Sequence, residues 1–285
     1  MYRISAALAS LAAAGLAASA SAQSFAVVPH AQATERGNGG LNTLTRGDGF
    51  PRTYQQQFTE AELAAQGLMP GMTITGVTWR ASISTSNDPT WPPPGGATWS
   101  DYQITLAEAA NPINAMSSTF ADNMLNPVLV RSGELTIPEG TFENTSPAAP
   151  DPNPWGYEIT FQPYTYAGGD LVILYSHPGS NLAGHIFLDR VASNDAWGRA
   201  VSASTFLATT GGGPTASFTI NRLTFETTGP TCPADLNGDG VVDADDFFLF
   251  LSLFAAGDPR ADFNNDGVID ADDFFAYLTA FAAGC

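Results

Sequence analysis

Ten oxygen-bearing side chains recur at one spacing near the end of this chain. Asp235, Asn237, Asp239, Asp243 and Asp246 form one set, and Asp262, Asn264, Asp266, Asp270 and Asp273, twenty-seven residues further on, form another. Within each twelve-residue stretch they occupy positions 1, 3, 5, 9 and 12, and glycine (Gly240, Gly267) stands at position 6. A hard divalent cation takes six to eight oxygen ligands at about 2.3–2.6 Å, so a short loop must wrap round it. Glycine supplies the backbone freedom for the sharp turn at position 6. The position 7 carbonyls, of Val241 and Val268, complete the two sets. The ligand chemistry predicts two bound calcium ions; position 9 often acts through a water, so Asp243 and Asp270 are the weakest-held ligand assignments.

This is the spacing of an EF-hand calcium loop. One such stretch is also compatible with an acidic, Gly-rich surface loop. Two stretches, each followed by the same apolar run, are not. Position 12 is Asp in both copies rather than Glu, so bidentate binding requires the backbone to approach the ion more closely. The runs Phe247 to Gly257 and Phe274 to Gly284 align without a gap, and each predicts about three helical turns stopped at a glycine. Pro230 and Pro233 sit upstream of the first loop, so no helix is expected to enter it.

Loop then helix, twice, without entering helices, resembles the type I dockerin module, and the flanking Cys232-Pro233 and terminal Gly284-Cys285 make it similar to the GC-type dockerin of exported bacterial proteins. The resemblance covers about residues 231–285. It implies a cohesin-like or other surface or scaffold partner, bound by loop positions 10 and 11 and the face of the following helix. On this chain those positions are Ala244, Asp245, Leu251 and Ser252, and in the copy Ala271, Asp272, Leu278 and Thr279. The two sets are chemically close, so docking in either of two pseudo-twofold orientations is expected. The alternative is that the phenylalanines of these helices pack on each other and on the preceding domain.

The chain has two cysteines, Cys232 and Cys285. In an oxidising compartment they would clasp the ends of the module, contributing about 4 kcal/mol in the chain-entropy model. The compactness of type I dockerins favours that reading over Cys285 as a terminal thiol used in sorting or attachment. Eleven of the twenty-eight acids lie in the last fifty-five residues against one base, Arg260. The module therefore carries close to −10, which two calcium ions would bring to about −6. Without the ions that repulsion predicts an unfolded or molten module, and the residual acidity argues against nucleic acid as a partner.

Arg3, the apolar stretch Ile4 to Ala18 and the small-residue site Ala20-Ser21-Ala22 read as a secretory signal peptide over residues 1–22. No other segment is long and apolar enough to span a bilayer. The expected product is a secreted or cell-surface protein without a transmembrane segment in the mature chain. Its predicted parts are a domain over 23–226, a linker over 227–231 and the calcium module over 232–285.

The larger domain is poor in charge and rich in Gly, Pro, Thr and Ser, with short alternating apolar runs. Tyr102, Ile104 and Leu106 alternate with polar residues, as do Tyr157, Ile159 and Phe161. Val128–Val130, Leu135–Ile137 and Ile186–Leu188 are shorter examples, and Leu171 to Tyr175, apolar throughout, suits a central strand covered on both faces. Phase changes at Gly76 and at Asn221-Arg222 read as bulges. The fold class expected is mainly β: a jelly-roll-like β-sandwich, followed by the small α-helical module. Thr59 to Glu62 reads as a capping box opening one helix that ends at Gly67. Tyr54-Gln-Gln-Gln-Phe58, Ile74 to Trp79, Ser117 to Ala121, Val130 to Gly133 and Gly169 to Leu174 occur in this order. Together they resemble the sandwich domain of PEP-CTERM-type exported bacterial proteins, a resemblance that implies a fold and no catalytic residues.

The domain has no nucleophile elbow, zincin motif or phosphate-binding glycine loop. His177 and His185, with Asp189 nearby, could form a metal or acid–base set across a hairpin; His30 and these two are the histidines of the chain. Asp101, Glu108, Glu134 and Glu158 cannot be sorted into a glycoside-hydrolysing pair without distances. Trp91, Trp99, Trp155 and Trp197 lie in Gly- and Pro-rich loops, where they either cap the core or stack on sugar rings. The reading is of a non-catalytic sandwich tethered by a calcium-dependent module. The alternative is a carbohydrate-binding or glycoside-hydrolysing component of a polysaccharide-degrading assembly.

Overall fold

The computed structural model describes residues 23–83, 90–144, 151–192, 196–226, 233–237, 241–264 and 267–283. The expected signal peptide, the linker and both cysteines lie outside the described residues. The chain is mainly β, with a helical C-terminal region. The first eight strands are β1 (Gln23–Val28), β2 (Gly39–Leu41), β3 (Arg52–Phe58), β4 (Thr73–Thr78), β5 (Thr90–Trp91), β6 (Ala97–Trp99), β7 (Gln103–Ala109) and β8 (Met124–Arg131). They are followed by β9 (Leu135–Ile137), β10 (Phe142–Glu143), β11 (Ile159–Thr165), β12 (Leu171–His177), β13 (Leu188–Val191), β14 (Gly198–Ala203), β15 (Phe218–Thr219) and β16 (Asn221–Glu226).

Two antiparallel sheets dominate, one in the order β1-β16-β4-β11 and the other β14-β3-β12-β7-β8. One apolar cluster draws on both: Ile74, Val77, Leu223 and Phe225 from the first, and Tyr54, Phe58, Ile104, Leu106, Ile173 and Tyr175 from the second. Trp79 closes it with an edge-on contact to Tyr175 at 5.6 Å. Strand β12 is buried along nearly its whole length. Leu171, Ile173 and Tyr175 face the shared core, while Leu174 meets a second cluster of Met116, Phe120 and Val201 on the sheet's other side. That two-sided cover is why the strand reads as continuously apolar.

The phase change at Gly76 is a bulge, since the β16–β4 register moves from Thr224↔Gly76 to Phe225↔Ile74. The change near Asn221 is not. Phe218 and Thr219 pair with β13, whereas Asn221 onward pairs with β4 and β1, so the chain switches sheets at Ile220. The expected capping box at Thr59 is also absent, although helix α1 (Glu60–Ala64) forms there and Gly67 ends the turn at φ +79°. Glu62 turns instead to His30, accepting from its backbone N–H at 2.8 Å and meeting Nδ1 at 2.7 Å. Asp170 supplies the missing cap through Oδ1, 3.1 Å from the Glu60 N–H. A carboxylate from the loop before β12 thus does the work expected of a local one.

His177 belongs to the core rather than to a site. Its Nε2 lies 2.9 Å from the Thr43 carbonyl, its Nδ1 accepts from the Gly179 N–H at 3.1 Å, and its ring stacks on Tyr102. Burial holds its pKa down to about 4 from 6.5. Between those values the unfolded chain binds a proton that the native state refuses, so stability falls as the pH drops. The loss should reach roughly 3 kcal/mol by pH 4. All five tryptophans lie in the sandwich. Urea midpoints followed by tryptophan emission at pH 7 and pH 4.5 should therefore differ in the native chain and differ less in His177→Gln.

Candidate calcium-binding module

Helices α2 (Ala244–Ala256) and α3 (Ala271–Ala283) each begin three residues earlier than the apolar runs suggest, inside the loops. The cause is a cap that the ligand pattern conceals. Asp243 at position 9 accepts from the Asp245 N–H at 2.9 Å, and Asp246 returns the bond to the Asp243 N–H at 3.1 Å. Asp270, Asp272 and Asp273 repeat this, with both distances 2.9 Å. The signal was in the sequence as Asp-x-x-Asp, a short version of the capping box. The first helix stops where expected, at Gly257 with φ +65°. Gly284 lies outside the described residues.

The position 12 carboxylates are fully buried. Asp246 spans its loop, accepting from the Asn237 N–H at 3.0 Å with one oxygen and from Asp243 with the other. Asp273 does the same between Asn264, at 3.0 Å, and Asp270. These backbone donors hold the Asp273 carboxyl below the usual carboxylate range. At position 1, Asp262 accepts from the Gly267 N–H at 3.0 Å across the turn, and Gly267 has φ +86°.

Of the predicted ligands, Asp235 and Asp262 are half-buried, and Asn237, Asp243, Asn264, Asp270, Val241 and Val268 are exposed. Position 5 of both loops, Asp239 and Asp266, lies outside the described residues. Among the described residues, no three histidine, cysteine or acidic side chains converge on one metal-sized point. The residues fit a hard dication: every donor is oxygen, each position 12 carboxylate keeps lone pairs beyond its backbone bonds, and the loops are already closed on them. When bound, the ion would supply the positive charge that the clustered aspartates lack.

Loop positions 2 and 8 do a job that the ligand pattern does not announce. Leu236, Val242, Phe263 and Ile269 turn inward and pack on a small core of Ala234, Phe250, Leu253, Ala261 and Tyr277. Phe250 and Tyr277, equivalent residues of the two repeats, stack at 4.1 Å with planes 2° apart. Phe250 lies 5.7 Å from Phe254, and Tyr277 lies 5.8 Å from Phe281, which mirrors the pair. The phenylalanines of these helices thus split into an inward set and an outward one.

Most of the predicted docking residues also face outward. Ala244, Asp245, Leu251, Ser252, Ala271, Asp272 and Thr279 are exposed, and Leu278 is half-buried. Two residues on the same faces were not predicted. Phe248 and Phe275, equivalent in the repeats, are each 63% exposed. Their position, four residues after Ala244 and Ala271, was the available signal.

Among the described residues, His177, His185 and Asp189 each have a separate partner. Asp189 is taken by Arg80 at 2.9 Å and by the Gly37 N–H, His177 by backbone, and His185 by Asn42 at 2.6 Å. Asp101 accepts from Gln103 and Gly133, and Glu108 from Asn126, each beside its own hairpin. Trp91 and Trp99 are buried core residues. Trp155 is partly buried under Arg80 and Arg222, and Trp197 is partly buried against the same core.

No protein family and no curated protein matches this chain. Among solved structures, it is similar to the cysteine protease and lectin-like domains of Cwp84, a surface layer associated protein of Clostridium difficile. The identity is 9% and the TM-score 0.29, over 62% of this chain and 32% of that one, so the chain spans about a third of its length. A likeness at that level carries no argument about function. No helix among the described residues is long and apolar enough to cross a membrane.

Proposed function

We propose that this chain is an exported protein whose C-terminal dockerin-like module binds two calcium ions and tethers the β-sandwich to a cohesin-like or other surface or scaffold partner. The observation that carries the reading is the equivalence of the two loop–helix units. Each buries its position 12 aspartate against the same two backbone donors and turns one phenylalanine outward at the same place. An exposed aromatic pair on a module this small is what a docking face requires. Cys232 and Cys285 would clasp the module in an oxidising compartment. We read the sandwich as jelly-roll-like, because β1, β4, β11 and β16 of one sheet alternate along the chain with β3, β7, β8 and β12 of the other.

The test is capture from the source organism's envelope fraction by the immobilised chain, with calcium and with chelator. Calcium-dependent capture should fall at least tenfold in the Phe248→Ser, Phe275→Ser double variant, while calcium-induced helicity is retained. Capture that survives chelation, or that ignores the double variant, would count against the reading.

A further inference from the structure

A cavity of about 410 Å³ opens on the sandwich between the Pro93-Pro94 turn and the loop of residues 182–185. Its walls are Thr90, Trp91, Pro93, Pro94, the Leu182–Gly184 backbone and His185. The volume is within the range of small-molecule sites. No ionised carboxylate, lysine or arginine is among these residues.

Both walls are pinned before any ligand arrives. On one side Gly96 donates to the Pro93 carbonyl at 3.0 Å, and Gly140 donates to that of Pro92 at 2.9 Å. On the other, the Leu182 carbonyl accepts from Asp48 at 2.8 Å, and Asn181 exchanges two bonds with Thr98, each 2.8 Å. Gly47 lies so close beneath that an added Cβ would fall 2.0 Å from the Leu182 oxygen. Trp91 is itself held edge-on to Phe142 at 5.7 Å.

The imidazole of His185 is oriented as firmly. Arg46 Nε donates to Asn42 Oδ1 at 3.1 Å, which leaves the Asn42 amide NH₂ to face His185 Nε2 at 2.6 Å. A donor there makes Nε2 the acceptor, so the proton of the neutral ring sits on Nδ1. Burial and the Arg46 charge both disfavour the imidazolium. Phe187, 5.1 Å away and edge-on, fixes the ring plane. Among the described residues, Nδ1 has no hydrogen-bond partner.

We propose that this cavity binds one sugar residue, an uncharged ring whose C–H face lies chiefly on Pro93 and Pro94, since Trp91 is only 5% exposed, and whose oxygen accepts from His185 Nδ1–H. An apolar floor with one fixed donor suits a ring that is apolar on its face and oxygen-bearing on its rim. Among the described lining residues, an anionic ligand would find no cation, and a cationic one no carboxylate. Arg46 is occupied behind Asn42 and over the Phe50 ring. The site is independent of the tether reading and would give the tethered domain a ligand of its own.

Saturation-transfer NMR on the full chain, with glucose, galactose, mannose and N-acetylglucosamine as probes, tests the assignment. At least one sugar should receive saturation. A side chain at Gly184 meets no atom within 4 Å, and the backbone there is not left-handed. Gly184→Leu should therefore fold normally, by tryptophan emission and urea midpoint, and abolish the signal. His185→Phe should weaken binding about tenfold by leaving the sugar oxygen unpaired. No transfer from any probe to the native chain, or equal transfer in both variants, would overturn the proposal.

Discussion

Removing calcium, or replacing Asp246 and Asp273 together by alanine, is expected to abolish the helical signal of residues 244–256 and 271–283 and to leave tryptophan emission unchanged. Eleven acids against one base repel one another unless counter-ions are bound. The two aspartates also hold the loops shut, each tying position 3 to position 9 through backbone N–H groups. Alanine removes a proposed ion ligand and takes the acceptor away from two part-buried backbone donors that pin the loop. Asp246→Asn with Asp273→Asn keeps an acceptor oxygen but loses both charges, so it should fold only at much higher calcium. Circular dichroism titrated with calcium, beside emission from the same sample, separates the two domains. A double alanine variant that regains its helices at ordinary calcium would show that the ligand assignment is wrong.

The second large effect is expected at Phe250. Phe250→Ala should unfold the module even in saturating calcium, whereas Phe248→Ala, two residues earlier, should leave it folded. Phe250 is fully buried and touches Phe254, Phe263, Phe274 and Tyr277, while Phe248 is mostly in solvent. Deleting a buried phenylalanine costs about 3–5 kcal/mol. A core this small supplies about that much in total. Calcium-dependent helicity in the two variants gives the answer directly. Equal helicity in both would mean that the stacked pair is not the centre of the module.

The division between Phe248 and Phe250 shows where sequence reading stopped. The helix from Phe247 onward is apolar nearly all round, so periodicity alone could not say which phenylalanines face inward. The packing of Phe250 on Tyr277, repeat against repeat, decides it. The tryptophans of the Pro-rich loops posed the same problem. Trp91 and Trp99 are as plausible for a sugar platform as for a core cap until the strands β5, β6, β9 and β10 fold them under. His177 and His185 lie close in sequence, yet one is sealed by backbone and the other is aimed by Asn42 and Arg46, more than a hundred residues away.

What the sequence determined by itself was local and periodic. The two loop–helix repeats are legible because each is written in one short stretch, an Asp-x-x-Asp cap followed by an apolar run, so spacing encodes where the helix starts. The strands β7, β9 and β11 and the bulge at Gly76 are legible because alternation reports which face of a strand is covered, and β12 because an unbroken apolar run reports cover on both faces. In β8 the alternation misleads, since Val128 and Leu129 are both exposed. What only the tertiary structure decided involved partners distant in the chain. The cap of α1 comes from Asp170, Glu62 is drawn away to His30, and the chain switches sheets at Ile220 rather than bulging. The physical reason is the same in each case. A hydrogen bond or a buried face formed between segments far apart leaves no spacing in the sequence, and it outweighs the local preference that does.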